Sequence, residues 1–156
     1  MSRWASGAWA GVVAGMVMAV AMMGWMLVTG RSPWTTPNMI SAMWVGEHAA
    51  LLDSFGGHTI LGLATHGATS VLMGLVAVPF IRDLGRVQTL LVSFAYALAS
   101  YPLVFSLVLR WANPRMVAMS SMLVMTVGHA LFGIVMGVVY LRLRRGSPFA
   151  LTVAGA

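Results

Sequence analysis

The sequence contains no cysteine and no lysine. The first absence removes disulfides, thiolate metal ligands and cysteine nucleophiles. The second removes Schiff-base chemistry. Acids are nearly as scarce: Glu47, Asp53 and Asp83 are the only carboxylate side chains in 156 residues, and all lie between apolar runs rather than within them. A Ser–His–Asp arrangement therefore lacks its acid, and no glycine-rich loop followed by a basic residue offers a phosphate cradle. No catalytic constellation is legible. Charged residues make up 8% of the chain, against about 25% in a soluble domain, so most of the surface is not built for water.

Hydrophobic residues fill that place, at 60% of the chain. They form four runs, at 5–29, 59–81, 87–109 and 117–141, none of which contains Asp, Glu, Lys or Arg. Each meets the roughly 20-residue criterion for a bilayer-spanning helix. The runs do not alternate polar and apolar, which argues against a β-barrel. Helices remain, because lipid leaves open strand edges unpaired. The expected fold is an all-α membrane protein, a single domain of four transmembrane helices, with the lipid bilayer as its first partner. Arg3 precedes the first run and no A-x-A site follows it, so that run is expected to be a retained helix rather than a signal peptide.

The net charge of +6 comes from nine arginines set singly or in small groups beside the apolar runs. That is a membrane-flank pattern and not a nucleic-acid patch. Arg3, Arg82, Arg86, Arg142, Arg144 and Arg145 fall on one side of the predicted bundle; Arg31, Arg110 and Arg115 fall on the other. The six-to-three split predicts that both termini are cytoplasmic. Trp34, Trp44 and Trp111 then lie at the outer interface.

The connection between the first two spans, from Gly30 to about His58, is far longer than the others. Its start, Arg31 to Pro37, carries two prolines and reads as non-helical. Residues 38–55 read as a helix lying on the outer face, with Met39, Ile40, Met43, Trp44, Leu51 and Phe55 on one broad side and Glu47 intruding on it. It is an interfacial anchor or a lid over the space between the helices.

The second and fourth spans share a pattern. His66 precedes Met73-Gly74, and His129 precedes Met136-Gly137, both as H-x6-M-G; Pro37-x-Met39 and Pro114-x-Met116 match more weakly. The bundle therefore reads as two repeated helix pairs in parallel orientation. Both histidines enter their spans from the outer end, about 10 Å and about 18 Å deep at 1.5 Å per residue.

An ionisable residue within a span is a functional hypothesis by default. Each histidine lies on a stripe of small residues: Gly62, His66, Ser70 and Gly74 on one helix, His129, Gly133 and Gly137 on the other. Two readings follow. Small residues let helices approach closely, each imidazole bonding to a neighbouring hydroxyl or carbonyl. Alternatively, Gly74, Gly133 and Gly137 clear room for a b-type haem held by His66 and His129 as axial ligands. A quinone or proton-relay role for the pair is a further alternative. Gly7, Gly11 and Gly15 on the first span mark a helix contact within the bundle or with another subunit.

Methionine is abundant, with 14 residues, and Met116, Met119, Met122 and Met125 recur every third position. Thioethers suit Cu(I), though unbranched methionines also fill irregular cores. Glu47, His48, Asp53 and His58 have metal-binding side chains at a spacing that matches no ligand pattern. Pro102 should kink the third span.

The phrase Gly30-Arg31-Ser32-Pro33-Trp34-x-x-Pro37-x-Met39-Ile40, followed by the spans bearing His66 and His129, resembles a group of small bacterial four-span membrane proteins. The resemblance implies a bacterial inner membrane and implies no activity. The leading functional expectation is a non-enzymatic accessory or assembly subunit of a larger membrane complex, such as a respiratory one, with other membrane subunits or a second copy as partner. A haem-bearing electron carrier and a methionine-lined copper-handling or permeation unit stand beside it.

Overall fold

The computed structural model describes residues 1–145, and every regular element among them is helical. α1 is Arg3–Val28, α2 Thr35–Val45, α3 Gly57–Ile81, α4 Arg86–Ala112, α5 Pro114–Met119 and α6 Met122–Arg145. Four of them, α1, α3, α4 and α6, are long and apolar enough to cross a membrane. Residues 146–156 lie outside the described residues.

Side chains start most of these helices. Ser2 Oγ accepts from the Ala5 N–H at 3.1 Å and caps α1. The Thr59 hydroxyl accepts from the Gly56 N–H at 3.0 Å at the head of α3, and Gln88 Oε1 from the Gly85 N–H at 3.1 Å at the head of α4. Asn113 Oδ1 accepts from the Met116 N–H at 3.1 Å and caps α5, with Pro114 in the first turn, where a missing N–H is harmless.

Three boundaries differ from the sequence expectation. The helix in the long connection starts at Thr35 rather than Asn38, because Pro37 falls in its first turn and is tolerated there. It ends at Val45, where Gly46 takes φ +91°, and a short 3-10 turn over Glu47–Leu51 follows. The fourth spanning helix starts at Met122 and not at 117, since Ser120 is extended (ψ 131°) and separates α5 from α6. α4 continues past Pro102, but residues Phe105–Leu109 relax into a π-helical turn. A proline removes one backbone donor and crowds the preceding turn, and a wider turn downstream is one way to absorb it.

α1 packs along both α3 and α6, and α6 along α4, whereas α3 and α4 meet only sparsely. Where they do meet, Tyr96 donates its hydroxyl to the Met73 carbonyl at 3.1 Å and stacks on Phe80 with ring centroids 6.2 Å apart. The main core is built from Ala10, Ala14, Met18, Val78, Phe132 and Met136, among others. A smaller cluster around Met39, Ala50 and Met116 joins α2 to the far end of the bundle.

The two ends differ in charge. At one end Arg3 pairs with Asp83, and Arg144 donates to the carbonyls of Arg82 (3.3 Å) and Leu84 (3.1 Å). This joins the N-terminus, the α3–α4 turn and the end of α6. At the other end Arg115 faces Glu47 at 3.6 Å.

Candidate functional site

The sparse contact between α3 and α4 leaves a cavity of about 290 Å³ in the half of the bundle nearer α2. α1, α3, α4 and α6 form its walls, and α2 lies across it. His66 and His129 both line it, so the two rings that the repeat singled out are brought to one space. His66 stands nine residues into α3 and His129 seven into α6, which is about 14 Å and about 10 Å along the helix axes.

Each ring is tied to a backbone carbonyl. His66 Nε2 lies 3.0 Å from the Gly15 carbonyl oxygen of α1, and His129 Nδ1 lies 2.8 Å from the Met125 carbonyl one turn back in α6. A carbonyl only accepts, so the ring nitrogen carries the proton in both cases. Tyr101 is buried beside His129, with ring centroids 5.0 Å apart.

The glycines of the two stripes are taken up by helix contacts. A Cβ on Gly74 would come 2.2 Å from the Gly7 carbonyl oxygen and 2.9 Å from Gly11 Cα. One on Gly133 would meet the Ser93 carbonyl oxygen at 2.8 Å, and one on Gly137 would meet Ser93 Cβ at 3.1 Å. Gly7 and Gly11 face α3 in return, where a Cβ on Gly11 would reach the Ser70 carbonyl oxygen at 2.2 Å; Gly15 faces the Ser70 side chain and His66. The tandem glycine run of α1 therefore makes its close contact inside this bundle.

The remaining wall is apolar and rich in sulfur. Met18, Met22, Met73, Met116 and Met125 line the cavity. The break at Ser120 separates the three-spaced methionines: Met116 and Met125 reach the cavity, Met119 packs in the smaller cluster, and Met122 is 76% exposed. In the long connection, Glu47 is engaged with Arg115, Asp53 accepts from the Thr35 hydroxyl at 2.9 Å, and His58 Nε2 lies 3.2 Å from the Ser54 carbonyl oxygen. No group of three His, Cys, Asp or Glu side chains able to hold a metal occurs among the described residues.

Three features of the site escaped the sequence reading. Asn38 is wholly buried: its Nδ2 donates to the carbonyls of Leu52 (2.6 Å) and Ser54 (3.1 Å), and its Oδ1 accepts from the Thr59 hydroxyl at 2.7 Å. Asn113 Nδ2 donates to the Met39 carbonyl at 2.7 Å. These are the only two asparagines of the chain, each beside a proline, and that rarity was the available signal. The third is the seat of α2. Its Pro37 carbonyl oxygen would lie 1.9 Å from a Cβ on Gly62, and Trp44 Nε1 donates to Thr65 Oγ1 at 2.9 Å.

Thr69, Val104 and Val108 line the cavity and are also exposed on the outside of the bundle, so the cavity opens sideways between α3 and α4. Arg3, Asp83 and Arg144 gather at one end of the bundle and Glu47 and Arg115 at the other. Of these, Asp83 has its carboxyl held below the usual carboxylate range, first by its hydrogen bond to Arg3 and then by the nearby Arg3 and Arg82 charges, against a partial desolvation. Set against family models, curated proteins and solved structures, the chain matches none.

Proposed function

We propose that this chain is a four-span protein of a bacterial inner membrane, with both termini cytoplasmic, whose working part is the histidine-walled cavity. It acts as a non-enzymatic binding subunit: it holds a lipid-soluble small molecule for a larger membrane complex. The observation that carries this reading is the sideways opening between α3 and α4, at the depth of two imidazoles.

The residues facing outward along the four long helices support insertion. Val20, Leu72, Leu91, Leu107, Leu123 and Ile134 are all exposed, which would be costly in water and is ordinary in lipid. The five described arginines at the Asp83 end (Arg3, Arg82, Arg86, Arg142 and Arg144), against three at the Glu47 end, favour the former as cytoplasmic. Duplication of a helix pair is supported by two similar contacts: Gly74 of α3 on α1, and Gly133 with Gly137 of α6 on α4.

The cavity volume, about 290 Å³, sits at the low end for drug-sized ligands, about 300–1,000 Å³. That suits a ring or head group with its chain trailing into lipid through the seam. Native mass spectrometry of protein extracted in mild detergent tests this. The account expects a bound apolar molecule in the wild type and its loss in Ser100→Trp, which fills the cavity from α4. Wild-type protein that is consistently empty, with the variant indistinguishable, would contradict it.

A haem held between His66 and His129 is the second reading, favoured by the shared cavity. The residues fit it less well. His66 Nε2 already donates to Gly15, and the glycines proposed to admit the porphyrin face carry helix contacts instead. A reduced-minus-oxidised visible spectrum decides between the two: no Soret band is expected from protein made in haem-replete cells.

A further inference from the structure

The hydrogen bonds of the cavity wall restrict what it can hold. Every wall hydroxyl of α3 and α4 already donates its proton to a carbonyl of its own helix. Thr65 donates to Leu61 at 2.8 Å, Thr69 to Thr65 at 2.9 Å, Ser70 to His66 at 2.8 Å and Ser100 to Ala97 at 2.8 Å. Trp44 Nε1 is committed as well, to Thr65 Oγ1. The imidazoles donate to Gly15 and Met125. Each neutral ring then keeps one nitrogen with a lone pair, Nδ1 of His66 and Nε2 of His129, and neither has a partner among the described residues. No carboxylate is paired with either ring among the described residues.

The wall thus offers acceptors from α3, α4 and α6 and almost no free donors; Thr36 of α2 is the one lining hydroxyl whose proton is uncommitted among the described residues. We infer that the cavity selects a hydroxyl-bearing lipid-soluble molecule, an alcohol, phenol or quinol, over its ketone, quinone or ether counterpart. A carbonyl or ether oxygen would set lone pair against lone pair, leaving both sides unsatisfied in an apolar space. A hydroxyl would donate to one of the free ring nitrogens. An ammonium group would donate too, but it would enter without a counter-charge. This inference rests on the reading of the cavity as a binding site, and it names the chemistry of the head group.

Full-length protein in lipid nanodiscs tests it with a matched pair, 4-nonylphenol and 4-nonylanisole, which differ only in O–H against O–CH₃. Binding is read from tryptophan fluorescence, with protein-free nanodiscs as reference for partitioning. The phenol should bind on the order of tenfold more tightly, the value of about one buried hydrogen bond. That preference should narrow in His129→Leu, whose lost bond lies within one helical turn and leaves the fold intact. Equal binding of the two probes to the wild type overturns the inference while leaving the cavity reading in place. A preference unchanged in both His129→Leu and His66→Leu also overturns it. If neither probe binds, the cavity reading falls and takes the inference with it.

Discussion

Among the described glycines, Gly74 lies against another backbone and Gly67 against nothing, and the two carry opposite expectations. Gly74 meets the Gly7 carbonyl and Gly11 Cα, neither of which can swing aside. Gly74→Val should therefore destabilise the protein by about 1–3 kcal/mol or more through overpacking. Gly67 has nothing within 4 Å of an added Cβ, so Gly67→Ala should be neutral or gain up to about 1 kcal/mol from helix propensity. Reversible unfolding in mixed micelles measures both. The sequence made the small-residue stripes legible as close contacts, because spacing at i+4 fixes a face. It did not reveal the partners. That Gly62 faces the Pro37 carbonyl and Gly74 the α1 backbone depends on how α3 tilts between two neighbours, which no single helix encodes. The histidines were legible as a pair for the same reason of spacing; their tautomers required the carbonyls of Gly15 and Met125.

α2 is held by polar contacts as well as by the apolar cluster around Met39 and Met116. Asn38 joins it to the Leu52–Ser54 segment and to Thr59 at the head of α3. Asn38→Leu strips partners from two carbonyls and a hydroxyl, a loss of about 1–3 kcal/mol. Hydrogen exchange should accelerate in residues 35–55 and stay unchanged in the lower halves of α1 and α6. Trp44 is a lighter fastening, a single bond to Thr65 near the cavity rim. Trp44→Phe should cost little in global stability and should raise both association and dissociation rates of the cavity ligand; stopped-flow fluorescence of the remaining tryptophans reads this. The two prolines between Arg31 and Pro37 argue against a helix there, yet α2 starts at Thr35, because proline in a first turn starts a helix as readily as it ends one. The π-helical turn at Phe105–Leu109 was likewise beyond the sequence, which gave Pro102 and a kink but not where the strain would emerge. Phe105, Val108 and Leu109 line the cavity, so the displaced turn shapes the binding space directly.

For the bundle as a whole, the four long helices were legible within a few residues, because hydropathy is an average over a window and tolerates local error. The cavity was not, since it arises from an asymmetry: α1 closes tightly on α3 and α6, and no matching glycine run closes α3 on α4. The Asp83 end is fastened by Arg3 and Arg144 around the α3–α4 turn. Asp83 there has a lowered pKa, so its contribution is present above the ordinary carboxylate range and is lost as pH falls through its folded value. Asp83→Asn should flatten the acid limb of the unfolding profile by a small amount, since the pair is exposed. Reporter fusions at either terminus should both read as cytoplasmic. The most direct test of the account is nitrogen-15 NMR of histidine-labelled protein in nanodiscs, with His66 and His129 assigned by substitution. The account predicts two neutral rings of opposite tautomer, protonated at Nε2 in His66 and at Nδ1 in His129, whose bare nitrogens shift when 4-nonylphenol is added. Two doubly protonated rings, or two that ignore the phenol, would contradict it.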